Sequence, residues 1–262
     1  MTVPAVALST ASVWPERVHR AFELAADLGY DGVEVMVWTD PASQDLTALA
    51  RLSDRCGMPI LALHAPCLLI SQRVWSNDPV VRLRRSADAA VELGAGTVVI
   101  HPPFRWQRRY ALGFRDELLA AQERTGVRIA VENMFPVRRA GFTVSAFHPT
   151  PDPTDGDYPH YTLDLSHTAA AHVDPFALMD RMGAGLAHIH LTDGTGAPRD
   201  EHLVPGRGTQ PVAEVCERLV HDGFTGTVAV EITTRNARSR AERITAVSES
   251  LLFARLHMEP VR

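Results

Sequence analysis

Two rhythms of apolar residues alternate along this chain. Short β-branched and aliphatic runs, each about one strand long, are separated by stretches in which apolar positions recur at helical spacing. The runs predict eight strands near Val3–Ser9, Gly32–Trp38, Ile60–His64, Thr97–His101, Arg128–Asn133, His160–Leu165, Leu186–Leu191 and Thr227–Thr233. Between them, Pro15–Leu28, Gln44–Cys56, Pro79–Leu93, Ala111–Arg124, Pro175–Met182 and Val212–Asp222 predict helices, and Arg238–Leu256 predicts a closing one. Pro15 and Pro175 suit a first helical turn, Asp174 suits a cap, and glycines follow several predicted helix ends.

Strands alternating with helices are the signature of parallel strands joined by crossovers. Eight such units in 262 residues predict an α/β fold, a single (β/α)8 TIM barrel spanning 1–262 as one domain, and argue against an open doubly wound sheet. The fifth crossover departs from the pattern. From Met134-Phe135-Pro136 to Pro149-Thr150-Pro151-Asp152-Pro153 it is proline-rich and shows no convincing helix, so the segment is expected to be irregular and to act as a lid or substrate loop.

Composition narrows the class. At 45% hydrophobic and 22% charged residues, the chain has the makings of a packed core rather than a disordered segment. No run approaches the roughly 20 apolar residues a membrane span needs, and the amino terminus lacks the pattern of a secretory signal, so a cytoplasmic protein with no membrane partner is expected. Cys56, Cys67 and Cys216 are odd in number and widely spaced, which predicts free thiols. A formal charge of −5 supplies no general attraction to nucleic acid, although a local basic face would still be compatible with it.

The candidate chemistry sits at the carboxyl ends of the predicted strands. His64, His101, Glu132 and Glu231 each end or follow a strand, Asp164 and His167 follow Tyr161-Thr162-Leu163, His190 lies in His188-Ile189-His190-Leu191, and Asp200 and His202 occupy the loop beyond. Any one of these could be a hydrogen-bonded core residue or one half of an ion pair. Together they would bury several carboxylates at one point, which a cation would offset; mixed imidazole and carboxylate donors suit zinc or manganese. His188 is read as a packing residue pointing away from the barrel axis. His19, His148, His160, His172, His221 and His257 have no comparable placement.

On these residues the chain resembles the xylose-isomerase-like superfamily of TIM barrels, which includes endonuclease IV and many sugar isomerases and epimerases. Glu132, Asp164, His190 and Glu231 match the single-metal quartet of the sugar epimerases. That resemblance implies Glu132 and Glu231 as acid and base in an enediolate mechanism, with His167 orienting a substrate oxygen. A fuller match to endonuclease IV adds His64, His101, His167, Asp200 and His202 and implies up to three ions. Cys67, however, stands where an aromatic residue follows His-Ala-Pro in that nuclease, which disfavours a nucleic-acid partner. Pro205-Gly206-Arg207-Gly208 resembles a turn common among the small-molecule enzymes. Trp14, Trp38, Phe104, Arg105, Trp106 and Arg207 are the candidate substrate contacts. The resemblance implies an isomerase or epimerase acting on a sugar, sugar phosphate or polyol. A multinuclear zinc phosphoester hydrolase is the second reading and a catalytically silent binding barrel the third.

Overall fold

The computed structural model describes residues 3–139 and 142–259. Eight parallel strands close into a barrel: β1 (Ala5–Ser9), β2 (Gly32–Met36), β3 (Ile60–His64), β4 (Thr97–Ile100), β5 (Arg128–Glu132), β8 (Tyr161–Asp164), β9 (Leu186–Leu191) and β10 (Thr227–Val230). β1 completes the ring by pairing with both β2 and β10. Helices α1 (Val18–Leu28), α2 (Leu46–Cys56), α3 (Pro79–Leu93), α4 (Arg108–Thr125), α5 (Leu165–Ala171), α6 (Pro175–Met182), α7 (Val212–His221) and α8 (Arg240–His257) follow the strands in chain order. None of the described helices is long and apolar enough to cross a membrane.

Local chemistry sets many of the boundaries. Asp45, Asp78, Asp174 and Ser239 accept backbone N–H groups at the starts of α2, α3, α6 and α8. Pro175 opens α6 as its pattern predicted, whereas α1 starts at Val18 rather than at Pro15, leaving Pro15 in the preceding turn. Several strands are shorter than the apolar runs suggested, so His101 and Glu231 stand just past their strand ends.

The pleat divides each strand between two environments. Outward positions such as Val33, Val35, Leu63, Ile129, Leu163 and Ile189 join the apolar cluster that also holds Phe22, Leu49, Leu83 and Phe114 of the surrounding helices. Most inward positions are small or ionisable: Ala7, Ser9, Glu34, Ala62, His64, Thr97, Ala130, Glu132, Thr162, Asp164, His188, His190 and Ala229, all buried, with Met36 and Val99 as apolar exceptions. The apolar core is therefore a sleeve between barrel and helices. The barrel interior is a polar column kept narrow by alanine and threonine.

The fifth crossover is irregular, as its prolines indicate. β6 (Val137–Arg139) and β7 (Phe142–Val144) pair antiparallel as a hairpin, and a single 3-10 turn covers Pro153–Gly156 before β8. The sixth crossover holds more than its pattern suggested, because α5 precedes the predicted Pro175–Met182 helix.

Candidate metal centre

His190, at the middle of the inner wall, organises the site. Its Nδ1 lies 3.0 Å from Glu132 Oε1, 3.1 Å from Glu231 Oε2 and 3.4 Å from Asp164 Oδ2. One ring nitrogen can donate at most one proton, so three carboxylates cannot all be satisfied there. Glu231 Oε2 and Asp164 Oδ2 accordingly have no hydrogen-bond partner although both are buried. Leaving buried carboxylate oxygens unpaired is costly, and a divalent cation among these four side chains would remove that cost. The donor set, three carboxylates and one imidazole, suits such an ion.

Asp164 is held in place from both sides. Its Oδ1 accepts the His167 N–H at 2.7 Å as the cap of α5, and its backbone N–H donates to Asn133 Oδ1 at 2.7 Å while Asn133 Nδ2 returns a bond to the Asp164 carbonyl. The cap commits one carboxylate oxygen and leaves the other aimed at His190.

Two flanking groups lie beside this centre. On one side Glu132 Oε2 is 3.1 Å from His101 Nε2 and 3.4 Å from His64 Nε2 without forming a hydrogen bond, and Cys67 Sγ is 3.9 Å from His64 Nδ1. On the other, Asp200 Oδ2 is 2.8 Å from His202 Nε2 and 3.3 Å from His167 Nε2, with its Oδ1 bonded by Ser166 Oγ at 2.7 Å. Ser166 Oγ also accepts the backbone N–H groups of Glu201 and His202. It thereby holds His202 in its left-handed conformation, φ 43°.

In three of these histidines Nδ1 faces a backbone carbonyl: His64 toward Ala65, His167 toward Asn133 and His202 toward Glu231, at 3.0, 2.8 and 2.9 Å. Donation of Nδ1–H to those carbonyls leaves each Nε2 turned to the carboxylates, the orientation metal-binding imidazoles commonly take. Among the described residues, four groups are able to hold an ion: His64, Cys67 and His101; Asp164, His167 and His202; Glu132, Asp164 and His190; and, deeper in the barrel, Glu34, His188 and His190.

Charge follows this geometry. Burial alone would raise the Glu132 carboxyl, but His190 and His101 outweigh it and hold the group well below the usual range. Glu231 moves the opposite way, pushed up by burial and only partly countered by His190. Burial disfavours a charged His202, yet Asp200 and Asp164 raise it to about 10. His101 is raised to about 9 against its burial by Cys67 and Glu132, and the Cys67 thiol, which burial would raise, is brought down to about 6 by His101 and His64.

The structure corrects one expectation and adds one residue. His188 does not point away from the axis: it is two positions from His190, so the pleat puts both on the inner face, and its Nε2 lies 2.7 Å from Glu34 Oε2. Glu34, in the middle of β2, also reaches His190 Nε2 at 3.3 Å. A search of strand ends misses it, but an acid between Val33 and Val35 on a buried strand was a readable signal.

A cavity of about 890 Å3 opens above the centre, lined by Trp14, Trp38, Ile70, Asp200, His202, Glu231 and Arg235 among others, with the Arg235 guanidinium over the Trp14 ring. Trp14 and Trp38 thus stand where a substrate would enter. Phe104 and Trp106 stack on each other, and Phe104 also stacks on Phe147, beside the mouth and outside this cavity's lining. Arg105 is exposed next to them. Arg207 turns outward to pair with Glu249 of α8, so its side chain is not a wall of the cavity. Its neighbours matter more. Asp193, fully buried, accepts the backbone N–H groups of Gly194, Gly206, Gly208 and Gln210. A Cβ on Gly208 would lie 2.2 Å from Asp193 Oδ1, so only glycine fits there.

A closed parallel barrel carrying imidazoles and carboxylates at its strand ends defines a class of protein, and residues 22–256 match the xylose isomerase-like TIM barrel family. The chain belongs to that family. It is 54% identical to the uncharacterized protein Rv0498 of Mycobacterium tuberculosis over 97% of both chains. It is 24% identical to fructoselysine 3-epimerase of Escherichia coli over 94% of this chain and 92% of that one. The crystal structure of the IolI protein with a binding zinc atom superposes with a TM-score of 0.73 at 19% identity, covering 97% of this chain and 99% of that one. That of a D-tagatose 3-epimerase-like protein gives 0.68 at 23%, covering 96% and 98%. These two likenesses are of fold.

Proposed function

We propose that this protein is a divalent-cation-dependent epimerase or isomerase of a sugar, sugar phosphate or related polyol. The observation that carries the reading is the convergence of Glu132, Asp164 and Glu231 on His190 Nδ1, with one oxygen of each carboxylate left unpaired. The resemblance to fructoselysine 3-epimerase supports the same chemistry and favours epimerisation.

Glu132, Asp164, His190 and Glu231 hold the cation, zinc or manganese by their donor chemistry. A cation held there would supply Lewis-acid stabilisation of the negative charge that develops when a proton leaves carbon. Glu132 and Glu231 are the acid and base, one removing the proton from carbon and the other delivering a proton. Delivery to the same carbon from the opposite face inverts it; delivery to the neighbouring carbon interconverts aldose and ketose. His167, fixed through Nδ1 on the Asn133 carbonyl, orients a substrate oxygen, and Trp14 and Trp38 offer aromatic faces to the sugar. The irregular fifth crossover acts as a substrate loop beside the mouth.

Incubating cation-loaded protein with a panel of ketoses, aldoses and their phosphates in deuterated water is expected to place deuterium on a substrate carbon, read by NMR. Full loading with no exchange across the panel counts against the proposal.

The flanking groups favour a second reading, a multinuclear zinc phosphoester hydrolase in which His64, His101, His167, Asp200 and His202 complete two further sites. Metal counting separates the two: one tightly held ion per chain supports the epimerase, and two or three support hydrolysis.

A further inference from the structure

Glu34 is an acid with no place in the proposed reaction. It sits in the middle of β2, fully buried, with Oε1 unpartnered, and it does not line the large cavity. Burying a carboxylate is costly unless something offsets it, and Val33 and Val35 on either side already supply the strand's packing. What Glu34 touches is specific. Its Oε2 meets His190 Nε2 at 3.3 Å and His188 Nε2 at 2.7 Å.

His190 differs from its neighbours in its orientation. His64, His167 and His202 present Nδ1 to backbone carbonyls and Nε2 to the carboxylates. His190 is reversed, with Nδ1 toward Glu132, Asp164 and Glu231 and Nε2 toward the column below. No backbone carbonyl is hydrogen-bonded to that Nε2 among the described residues, and the acceptor there is Glu34.

We infer that Glu34 is a positioning residue for the cation centre: it accepts the His190 Nε2–H and so keeps the Nδ1 lone pair directed at the point where the three carboxylates meet. His188 Nε2 lies 2.7 Å from the same carboxylate oxygen without forming a hydrogen bond to it, so His190 is the imidazole that Glu34 accepts from. Without Glu34, the imidazole can carry its single proton on Nδ1, donate to Glu132 and withdraw its one nitrogen ligand. The inference rests on the cation-binding reading of the quartet and is independent of which sugar is turned over.

The test is cation affinity, measured by competing metal-free protein against a chromogenic chelator for Zn2+ and Co2+. Glu34→Leu, which keeps the bulk and removes the acceptor, is expected to bind about 10- to 100-fold more weakly than the wild type, the usual effect of losing a ligand's outer hydrogen-bond partner, with the metal-free melting temperature little changed. Wild-type affinity in this variant overturns the inference while leaving the quartet intact. A wild-type protein that itself binds neither ion removes the quartet reading and the inference with it. Should the variant fail to fold, the His190 tautomer in the zinc-loaded wild type, read from long-range 1H–15N couplings, decides the matter. Protonated Nε2 and bare Nδ1 support Glu34 as acceptor, and the reverse tautomer sinks it.

Discussion

The middle of the site and its flanks are built on different plans. At the centre, three carboxylates surround one imidazole nitrogen and one oxygen of each is left without a partner. On the flanks the ratio is inverted: Glu132 Oε2 faces two imidazoles on one side and Asp200 Oδ2 faces two on the other. An excess of acid calls for a cation, whereas on the flanks Asp200 Oδ2 pairs with the His167 imidazole and Glu132 Oε2, though it faces two imidazoles, forms no hydrogen bond. Similar residue types therefore make a candidate cation site in one place and a wall of more nearly matched charge beside it.

The largest expected effect is at the centre. Glu132→Gln keeps the size of the side chain but removes a proton-transfer group, so turnover should fall by about a hundred- to ten-thousandfold while the melting temperature stays near wild type. A variant that retains turnover would move the chemistry away from the quartet. On the flank, His202→Ala should lower turnover about tenfold or less, because His202 shapes the wall and does not transfer the proton. It should also leave one ion per chain by elemental analysis. A collapse of both activity and ion count on this substitution would erase the distinction between centre and flank.

The smallest effect concerns pH in the metal-free protein. His101 and His202 are raised by burial-resisting contacts with Cys67 and Glu132, and with Asp200 and Asp164, to about 9 and about 10. Both values lie above that of an unfolded histidine, about 6.5. Their stabilisation is therefore complete below about 6.5 and is lost as pH rises through those folded-state values. The Cys67 thiol, lowered to about 6, adds stability as pH rises toward 9 and offsets the His101 share. The loss left to His202 should make metal-free protein melt a few degrees lower at pH 10 than at pH 7, and its cation affinity should tighten over the same interval as protons leave the ligands. A melting temperature that holds steady or rises across that range contradicts the picture of more nearly matched charge on the flanks.

The barrel was legible because each strand's outer face is apolar and most of the helices keep an apolar stripe, so pattern alone sorted most of the elements. The convergence of imidazoles and carboxylates was legible because they stand at or just past the carboxyl ends of the strands, where chemistry in such barrels collects. Glu34 and His188 lie one level deeper, inside strands that read as ordinary buried runs, and only the pleat of a closed ring shows that they share a face with His190. α5 was missed because Leu165-Ser166-His167-Thr168-Ala169-Ala170-Ala171 has no polar stripe: six of its seven residues are buried, so no helical periodicity marks it. Arg207 misled because a cation in a glycine-rich turn looks ligand-directed, while its actual partner, Glu249, is 42 residues away on the outer helix layer.

The carboxylate of Asp193 gathers four peptide N–H groups from the chain between β9 and α7. Lifting that stretch would strand an ion in a dry interior, so this rim of the mouth is cast in its final shape before any guest arrives. Discrimination on that side must come from how well a molecule matches a fixed contour rather than from a flap that wraps around it.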